Sequence, residues 1–292
     1  MSYPDDLREL VDAYLEDVRF AGPASADGLA DAMRYSLLAG GKRIRPVLAL
    51  ATARALGQQP ERLLPIASAI ELIHTYSLIH DDLPAMDDDE MRRGRPTAHV
   101  EFGENVAILS GDGLFAEGIN LICSRQEGEP RALLAALGRL AAATGLGGMV
   151  GGQYLDVTAE ASSQEPSEEA LLEIHSLKTG RLIEASVGVA LDLAETEASA
   201  RIPYERFARE TGVLFQIVDD MLDVTGSDEA LGKPSGSDER HGKLTYVSLY
   251  GLEEAGALAA SAHQRALEAL EEAAPATDDL QRVVDFIHER ET

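Results

Sequence analysis

The sequence predicts an all-α protein folded as one domain, and three observations predict it. Ala, Leu, Glu and Arg dominate the composition, and these are helix formers. Apolar residues recur with helical periodicity over most of the chain. Runs of β-branched and aromatic residues between turn signals, the mark of strands, are few. The periodicity places helices at 5–20, 26–39, 44–57, 61–82, 104–125, 130–144, 147–159, 168–191, 203–225, 244–251, 254–272 and 277–290. Ser167 is positioned to cap the helix that starts at Glu168–Glu169, whose carboxylates suit the positive end of the helix dipole. Pro203 is read in the first turn of its helix, where a missing N–H costs nothing. The segments 83–103, 158–167, 192–202, 226–243 and 272–277 read as loops. The 226–243 loop, rich in Gly, Ser and Asp, reads as mobile. No Pro/Ser-rich linker divides the chain, so residues 1–292 are read as one domain.

Composition narrows the function. Asp and Glu outnumber Lys and Arg by 51 to 25, and the net charge is −26. Nucleic-acid binding is excluded as a main role, because phosphate backbones require a basic face; the acidity itself reads as solubility. The lone cysteine, Cys123, rules out an intrachain disulfide and is expected in the core. The start of the sequence lacks the basic-then-apolar plan of a signal peptide. The apolar stretch 132–152 carries Arg139 and many small residues and is read as too mixed to span a bilayer. Together these imply a cytoplasmic protein without stable membrane insertion.

Two acidic clusters interrupt this pattern. Asp81-Asp82 and Asp87-Asp88-Asp89 end a strongly apolar helix (Ile70, Leu72, Ile73, Leu78, Ile79). Carboxylates there face the negative end of the dipole and repel one another, and a cation would relieve both costs. The second cluster, Asp219-Asp220 and Asp223, follows Gln216. Asp219 and Asp223 share a helix face, and their flanks are apolar, so the carboxylates need a cation or a basic partner. Two such helices suggest facing walls of one cavity. Hard oxygen donors without a matching Cys or His set favour Mg²⁺ over zinc. Mg²⁺ takes few carboxylates and completes its shell with water and phosphate, so a phosphorylated small molecule is implied.

The basic residues gather in short segments: Gly40-Gly41-Lys42-Arg43-Ile44-Arg45-Pro46, Arg92-Arg93-Gly94-Arg95, and Lys178-Thr179-Gly180-Arg181. Only four residues are lysine, namely Lys42, Lys178, Lys233 and Lys243, and all fall in or beside these segments or the 226–243 loop. A compact ammonium and a planar guanidinium are not interchangeable at a crowded phosphate.

In this order, together with Gly111-Asp112, Gly151-Gly152-Gln153 and Gly242-Lys243, these segments resemble the trans-isoprenyl diphosphate synthases, the family of farnesyl and geranylgeranyl diphosphate synthases. Four residues separate Asp82 from Asp87, a spacing that looks like the bacterial and plant type, with Pro84 inside it. The resemblance implies an all-α bundle around a deep central cavity, a homodimer, and Mg²⁺-dependent condensation of isopentenyl diphosphate with allylic diphosphates. It implies that Asp81, Asp82, Asp87 and Asp219, backed by Asp223, hold three Mg²⁺ ions, with Mn²⁺ an acceptable substitute. Arg92, Lys178 and Lys233 would bind the allylic diphosphate, and Lys42, Arg45, His74 and Arg93 the isopentenyl diphosphate, with Lys243 a further substrate-binding cation. Thr179 and Gln216 would face the developing carbocation. Tyr76, five residues before Asp81 and so ~7.5 Å down the helix axis, would close the cavity floor; Ser77 beside it is too small to do so. An aromatic floor implies the fifteen-carbon farnesyl product. A geranylgeranyl or geranyl diphosphate synthase remains an alternative. A class I terpene cyclase and an inactive regulatory subunit are more distant ones.

Overall fold

The computed structural model describes residues 3–160, 167–226, 243–273 and 276–290. The expected mobile loop at 226–243 and Lys233 within it therefore lie, apart from the loop's two ends, outside the described residues. The chain opens with α1 (Asp5–Asp17), α2 (Asp27–Leu37), α3 (Ile44–Ala55) and α4 (Leu64–Asp81). Next come a two-residue hairpin, β1 (Met91–Arg92) and β2 (Arg95–Pro96), the short α5 (Ala98–Phe102), and α6 (Glu104–Arg125). Then follow α7 (Pro130–Thr144), α8 (Met149–Glu160), α9 (Glu168–His175) and α10 (Arg181–Leu193). The bundle ends with α11 (Ala198–Thr225), α12 (Tyr246–Tyr250), α13 (Leu252–Glu271) and α14 (Asp278–Glu289).

Helix α4 is the central post. It is apolar around most of its circumference, with Ile66, Ile70, Leu72, Ile73 and Ile79 all buried, as a helix enclosed by others must be. It packs on α6 and α3, α10 packs on α7, α3 and α11, and α11 packs along α13. This arrangement sets the C-terminal ends of α4 and α11 at one mouth of the bundle.

Four expectations need correcting. The predicted single helix 168–191 is broken at Ser176–Gly180 by a π-helical turn between α9 and α10. Apolar periodicity does not register one inserted residue, and such turns recur at functional sites. Pro203 lies inside α11 rather than in its first turn, because the helix already starts at Ala198. Cys123 is exposed, on the outward side of α6, rather than in the core. The stretch 130–159 is apolar enough by composition to cross a bilayer, as are 60–81 and 104–125, so 132–152 is less mixed than expected. In the fold it is divided between α7 and α8, and Arg139 pairs with Asp192 at 2.6 Å. Ser167 does cap α9, accepting from the Ala170 backbone N–H at 3.2 Å. The small hairpin, which falls in a predicted loop, turns through Arg93 (φ 52°) and Gly94 (φ 74°), the positive pair that a tight two-residue hairpin requires.

Candidate active site

The first acidic cluster is shaped by the end of α4. Pro84, two residues past the cap at Asp82, stops the helix, and the chain folds back on itself. The Asp87 backbone N–H donates to the Asp81 carbonyl at 2.9 Å, and Met86 and Asp88 both donate to the Leu83 carbonyl. The four intervening residues are thus looped out, and Asp81 and Asp87 both line the cavity. Asp82 points elsewhere. It is 3 % exposed and grips Arg92, whose Nε donates to its two oxygens at 2.7 and 3.0 Å. That geometry suits Asp82 to holding Arg92 rather than to meeting a ligand.

The second wall is the last turns of α11. Gln216, Asp219 and Asp223 line the cavity. Gln216 Nε2 donates to Asp220 Oδ1 at 2.8 Å, and Asp220 Oδ2 accepts from the Tyr246 N–H at 2.8 Å. Asp220, which the sequence reading did not assign, is therefore the tie between α11 and α12. Asp219 pairs with Arg290 at 3.1 Å, and the Arg290 guanidinium lies 4.6 Å from the Phe215 ring centre.

Between the walls lies a cavity of about 760 Å³, large enough for two small ligands. Of the expected site residues, Arg45, His74, Tyr76, Ser77, Asp81, Asp87, Arg92, Arg93, Lys178, Thr179, Gln216, Asp219, Asp223 and Lys243 all line it. Lys42 does not; it is exposed, with its ammonium 5.2 Å from the Phe286 ring centre. The cavity's cations form two groups. Lys243 bonds Asp87 at 2.9 Å and Lys178 bonds Asp156 at 2.5 Å, beside the acidic walls. Arg45 Nη1 lies 3.2 Å from His74 Nε2, and Arg93 donates to the Gly40 carbonyl. Arginine only donates, so His74 Nε2 accepts and the imidazole is neutral. Burial, with Arg45 and Arg93 nearby, holds the His74 pKa well below its ordinary value.

Lys178 and Thr179 reach the cavity because of the π turn, and the turn fits because residue 152 is glycine. A Cβ at Gly152 would stand 2.2 Å from the Lys178 backbone N. In the cavity lining, the Tyr76 ring meets His80 and Phe115 edge-on, with centroids 5.5 Å apart in each case.

Three further lining residues received no role from the sequence, although Gln153 belongs to the Gly151-Gly152-Gln153 segment. Gln153 and Asp156, three apart on one face of α8, flank Lys178; the Gln153 amide is buried with no hydrogen-bond partner among the described residues. His175, three residues before Lys178, has its pKa pushed down to about 4 by burial. Asp156 stands three residues from Gln153 and His175 three from Lys178, and that spacing was the signal available.

Electrostatics favours a cation between the walls. Burial, aided by Asp87 and Asp82 and opposed by Lys178 and Arg92, pushes Asp81 up to about 6. Burial opposes the charge on Lys178, but Asp81 and Asp156 more than offset it and raise its pKa. Among the described residues, no three His, Cys, Asp or Glu side chains converge into a ready-made metal cage. The carboxylates instead are spread over facing walls, Asp81 and Asp87 on one and Asp219, Asp220 and Asp223 on the other. That donor set fits Mg²⁺, which completes its octahedron with water and substrate phosphate.

The model of the polyprenyl synthetase family matches residues 26–287. The chain is 48% identical to farnesyl diphosphate synthase of Geobacillus stearothermophilus, covering 82% of this chain and 79% of that one. It is 39% identical to the Escherichia coli farnesyl diphosphate synthase over 99% of both. It is 45% identical to a geranylgeranyl diphosphate synthase of Cyanophora paradoxa over 77% and 75%. Among solved structures, a geranyltransferase of Helicobacter pylori complexed with magnesium and isoprenyl diphosphate superposes with a TM-score of 0.87 at 32% identity, covering 98% of this chain and 97% of that one. An FPP/GFPP synthase of Zymomonas mobilis superposes equally well at 33% identity, covering 97% and 96%. The chain belongs to the polyprenyl synthetase family, and its bundle is the all-α isoprenoid synthase fold.

Proposed function

We propose that the protein is a farnesyl diphosphate synthase, a single-domain, Mg²⁺-dependent short-chain prenyltransferase that condenses isopentenyl diphosphate with dimethylallyl and then geranyl diphosphate. The observation that carries the reading is the meeting of two cationic groups and two acidic walls on one cavity whose lining includes the Tyr76 ring. Three Mg²⁺ ions, replaceable by Mn²⁺, would be held by Asp81, Asp87 and Asp219, with Asp223 behind them; when bound they draw charge from the departing pyrophosphate. Lys178, Lys243 and Arg92, held by Asp82, would orient the allylic diphosphate, joined by Lys233. Arg45, Arg93 and His74 would take the isopentenyl diphosphate, and Lys42, outside the cavity lining, would have to move to join them. The allylic C–O bond breaks, the isopentenyl double bond attacks the allylic carbon, and a proton leaves to the released pyrophosphate. Thr179 and the Gln216 amide, anchored by Asp220, would face the positive carbon. The enclosing helices exclude the water that would otherwise capture it. A terpene cyclase has no use for the second cationic group.

Incubation with Mg²⁺, isopentenyl diphosphate and dimethylallyl, geranyl or farnesyl diphosphate, followed by mass spectrometry, tests the reading. The first two primers should yield fifteen-carbon product and the third should be extended little. A twenty-carbon product would assign a geranylgeranyl diphosphate synthase, and no condensation would remove the prenyltransferase reading. Tyr76→Ala should lengthen the dominant product by at least one five-carbon unit, because the ring that stops the tail is gone. An unchanged product would place the floor elsewhere.

Ile108, Leu109 and Phe115 are exposed along one face of α6, which supports a homodimer, since contiguous apolar patches of this kind mark interfaces. Leu109→Arg should convert the dimer to monomer in light scattering; an unchanged mass would remove this face from the interface. The water-soluble substrates support action in the cytoplasm. The charge-paired Arg139 midway along the most apolar stretch supports a chain that does not insert in the membrane, and the acidity supports one without nucleic-acid partners.

A further inference from the structure

The turn before α3 contains an arginine that faces no cavity. Arg43 is 4 % exposed, and its backbone takes φ 52°, a region that long side chains rarely adopt. All three of its nitrogens are engaged, each on a different helix. Nε donates to Asp12 of α1 at 2.9 Å, Nη1 to Glu71 of α4 at 2.7 Å, and Nη2 to the Leu37 carbonyl at the end of α2 at 2.9 Å. Glu71 is itself only 2 % exposed, in an otherwise apolar stretch of α4. A buried ion pair is a poor way to gain stability, because desolvation consumes most of the attraction. Its rigid, forked geometry fixes positions instead.

What it fixes is the pocket beside it. Two residues after Arg43, Arg45 contacts His74, and His74 lies three residues after Glu71 on the same face of α4. The two arginines of the turn thus rest on two successive rungs of one helix. Arg93 reaches the same turn from the hairpin and donates to Gly40; a Cβ at Gly41 would stand 2.8 Å from the Arg93 guanidinium carbon. Burial opposes the charges on Arg45 and Arg93, Arg93 faces repulsion from Arg43 and imposes it on Arg45, and Glu71 favours the charged forms of Arg45 and Arg93 as well as pairing with Arg43.

We propose that Glu71, acting through Arg43, is the positioning residue of the second diphosphate pocket, holding Arg45 and Arg93 in place before the isopentenyl diphosphate arrives. Neither Glu71 nor Arg43 touches substrate. The inference rests on the reading that Arg45 and Arg93 receive that diphosphate.

Steady-state kinetics of the Mg²⁺-loaded enzyme tests it, varying each substrate with the other saturating. Glu71→Gln keeps the shape and removes the charge. It should raise KM for isopentenyl diphosphate about tenfold, leave KM for geranyl diphosphate within about twofold, and leave kcat within about threefold, the pattern of lost ground-state binding. A purely structural role would lower kcat and Tm without moving either KM. Asp12→Asn, which removes the Arg43 partner that is 41 % exposed, should shift the same KM by about two- to threefold in the same direction, and it decides the matter if Glu71→Gln does not fold. Arg45→Ala serves as the reference. If it raises KM for isopentenyl diphosphate while Glu71→Gln and Asp12→Asn do not, the positioning role is overturned and the pocket assignment stands. If Arg45→Ala leaves that KM unchanged, the pocket assignment falls and the positioning role falls with it.

Discussion

Asp81→Asn is expected to lower turnover by on the order of 10³-fold while leaving the metal-free protein at least as stable as the parent. Both halves follow from one observation. Asp81 is half-buried in the cavity wall beside other carboxylates, and its pKa is raised to about 6, so the folded protein disfavours the ion. With the folded value above the ordinary 3.8, the unfolded chain ionises first as pH rises. The resulting cost to stability develops between those two values and is fully present at pH 7. The asparagine carries no such cost. It also removes a carboxylate from the proposed metal site, and Lys178 loses one of its two carboxylate neighbours. Turnover and the Tm of the chelator-treated protein measured side by side would check this. Near-normal turnover would remove Asp81 from the metal site, and a large fall in Tm would show that its role is packing.

Gly152→Ala should be nearly as damaging for a different reason. Its Cβ would meet the Lys178 N at 2.2 Å, the Lys178 Cα at 2.6 Å and the Leu177 carbonyl carbon at 2.8 Å. All three are backbone atoms, so no side chain can rotate away, and α8 or the π turn must shift. A displacement of about 1 Å at a substrate-orienting residue costs on the order of 10²-fold in rate, and overpacking of this kind costs about 1–3 kcal/mol. Gly138→Ala in α7 is the control. Nothing lies within 4 Å of its new Cβ, so it should be neutral or stabilise the helix by about 0.5–1 kcal/mol. Similar outcomes for the two substitutions in a kcat and thermal-melt comparison would show that the close approach at Gly152 is unimportant.

Sequence revealed the parts of the site that are local in the chain. Asp81 and Tyr76 lie on one helix, so their axial separation followed from helix geometry alone. Asp219 and Asp223 needed only the i, i+4 rule. The four scarce lysines stood out by composition, although only Lys178 and Lys243 are described in the cavity and Lys42 lies outside it. The doubling-back after Pro84 required the structure to supply its hydrogen bonds. Long-range pairings were not legible. Arg290 meets Asp219 from 71 residues away, and Asp156 meets Lys178 across two helices, so no spacing rule anticipates either. Asp82 looked identical to its neighbour Asp81, yet it turns inward to hold Arg92, while Asp220 lines the cavity beside Asp219 and also ties Gln216 to the Tyr246 backbone. Alternation between facing a ligand and facing the scaffold is invisible in a pair of adjacent aspartates. The exposure of Cys123 was misread because an apolar helix at a bundle's surface still leaves one side uncovered.

The π turn at Ser176–Gly180 has a consequence for how this bundle tolerates insertions and deletions. Each residue of an α-helix advances its azimuth by about 100°. Excising one residue from the turn would restore regular hydrogen bonding and, judged by local helical propensity alone, look like an improvement. It would also rotate everything downstream of the cut by about that angle relative to α9. The apolar stripe of α10 would then no longer meet α3 and α7 while α9 kept its own seat, or Lys178 and Thr179 would swing off the cavity. The irregular turn is a phase shifter between two helices that must present different faces to different neighbours, and smoothing it would put them out of phase.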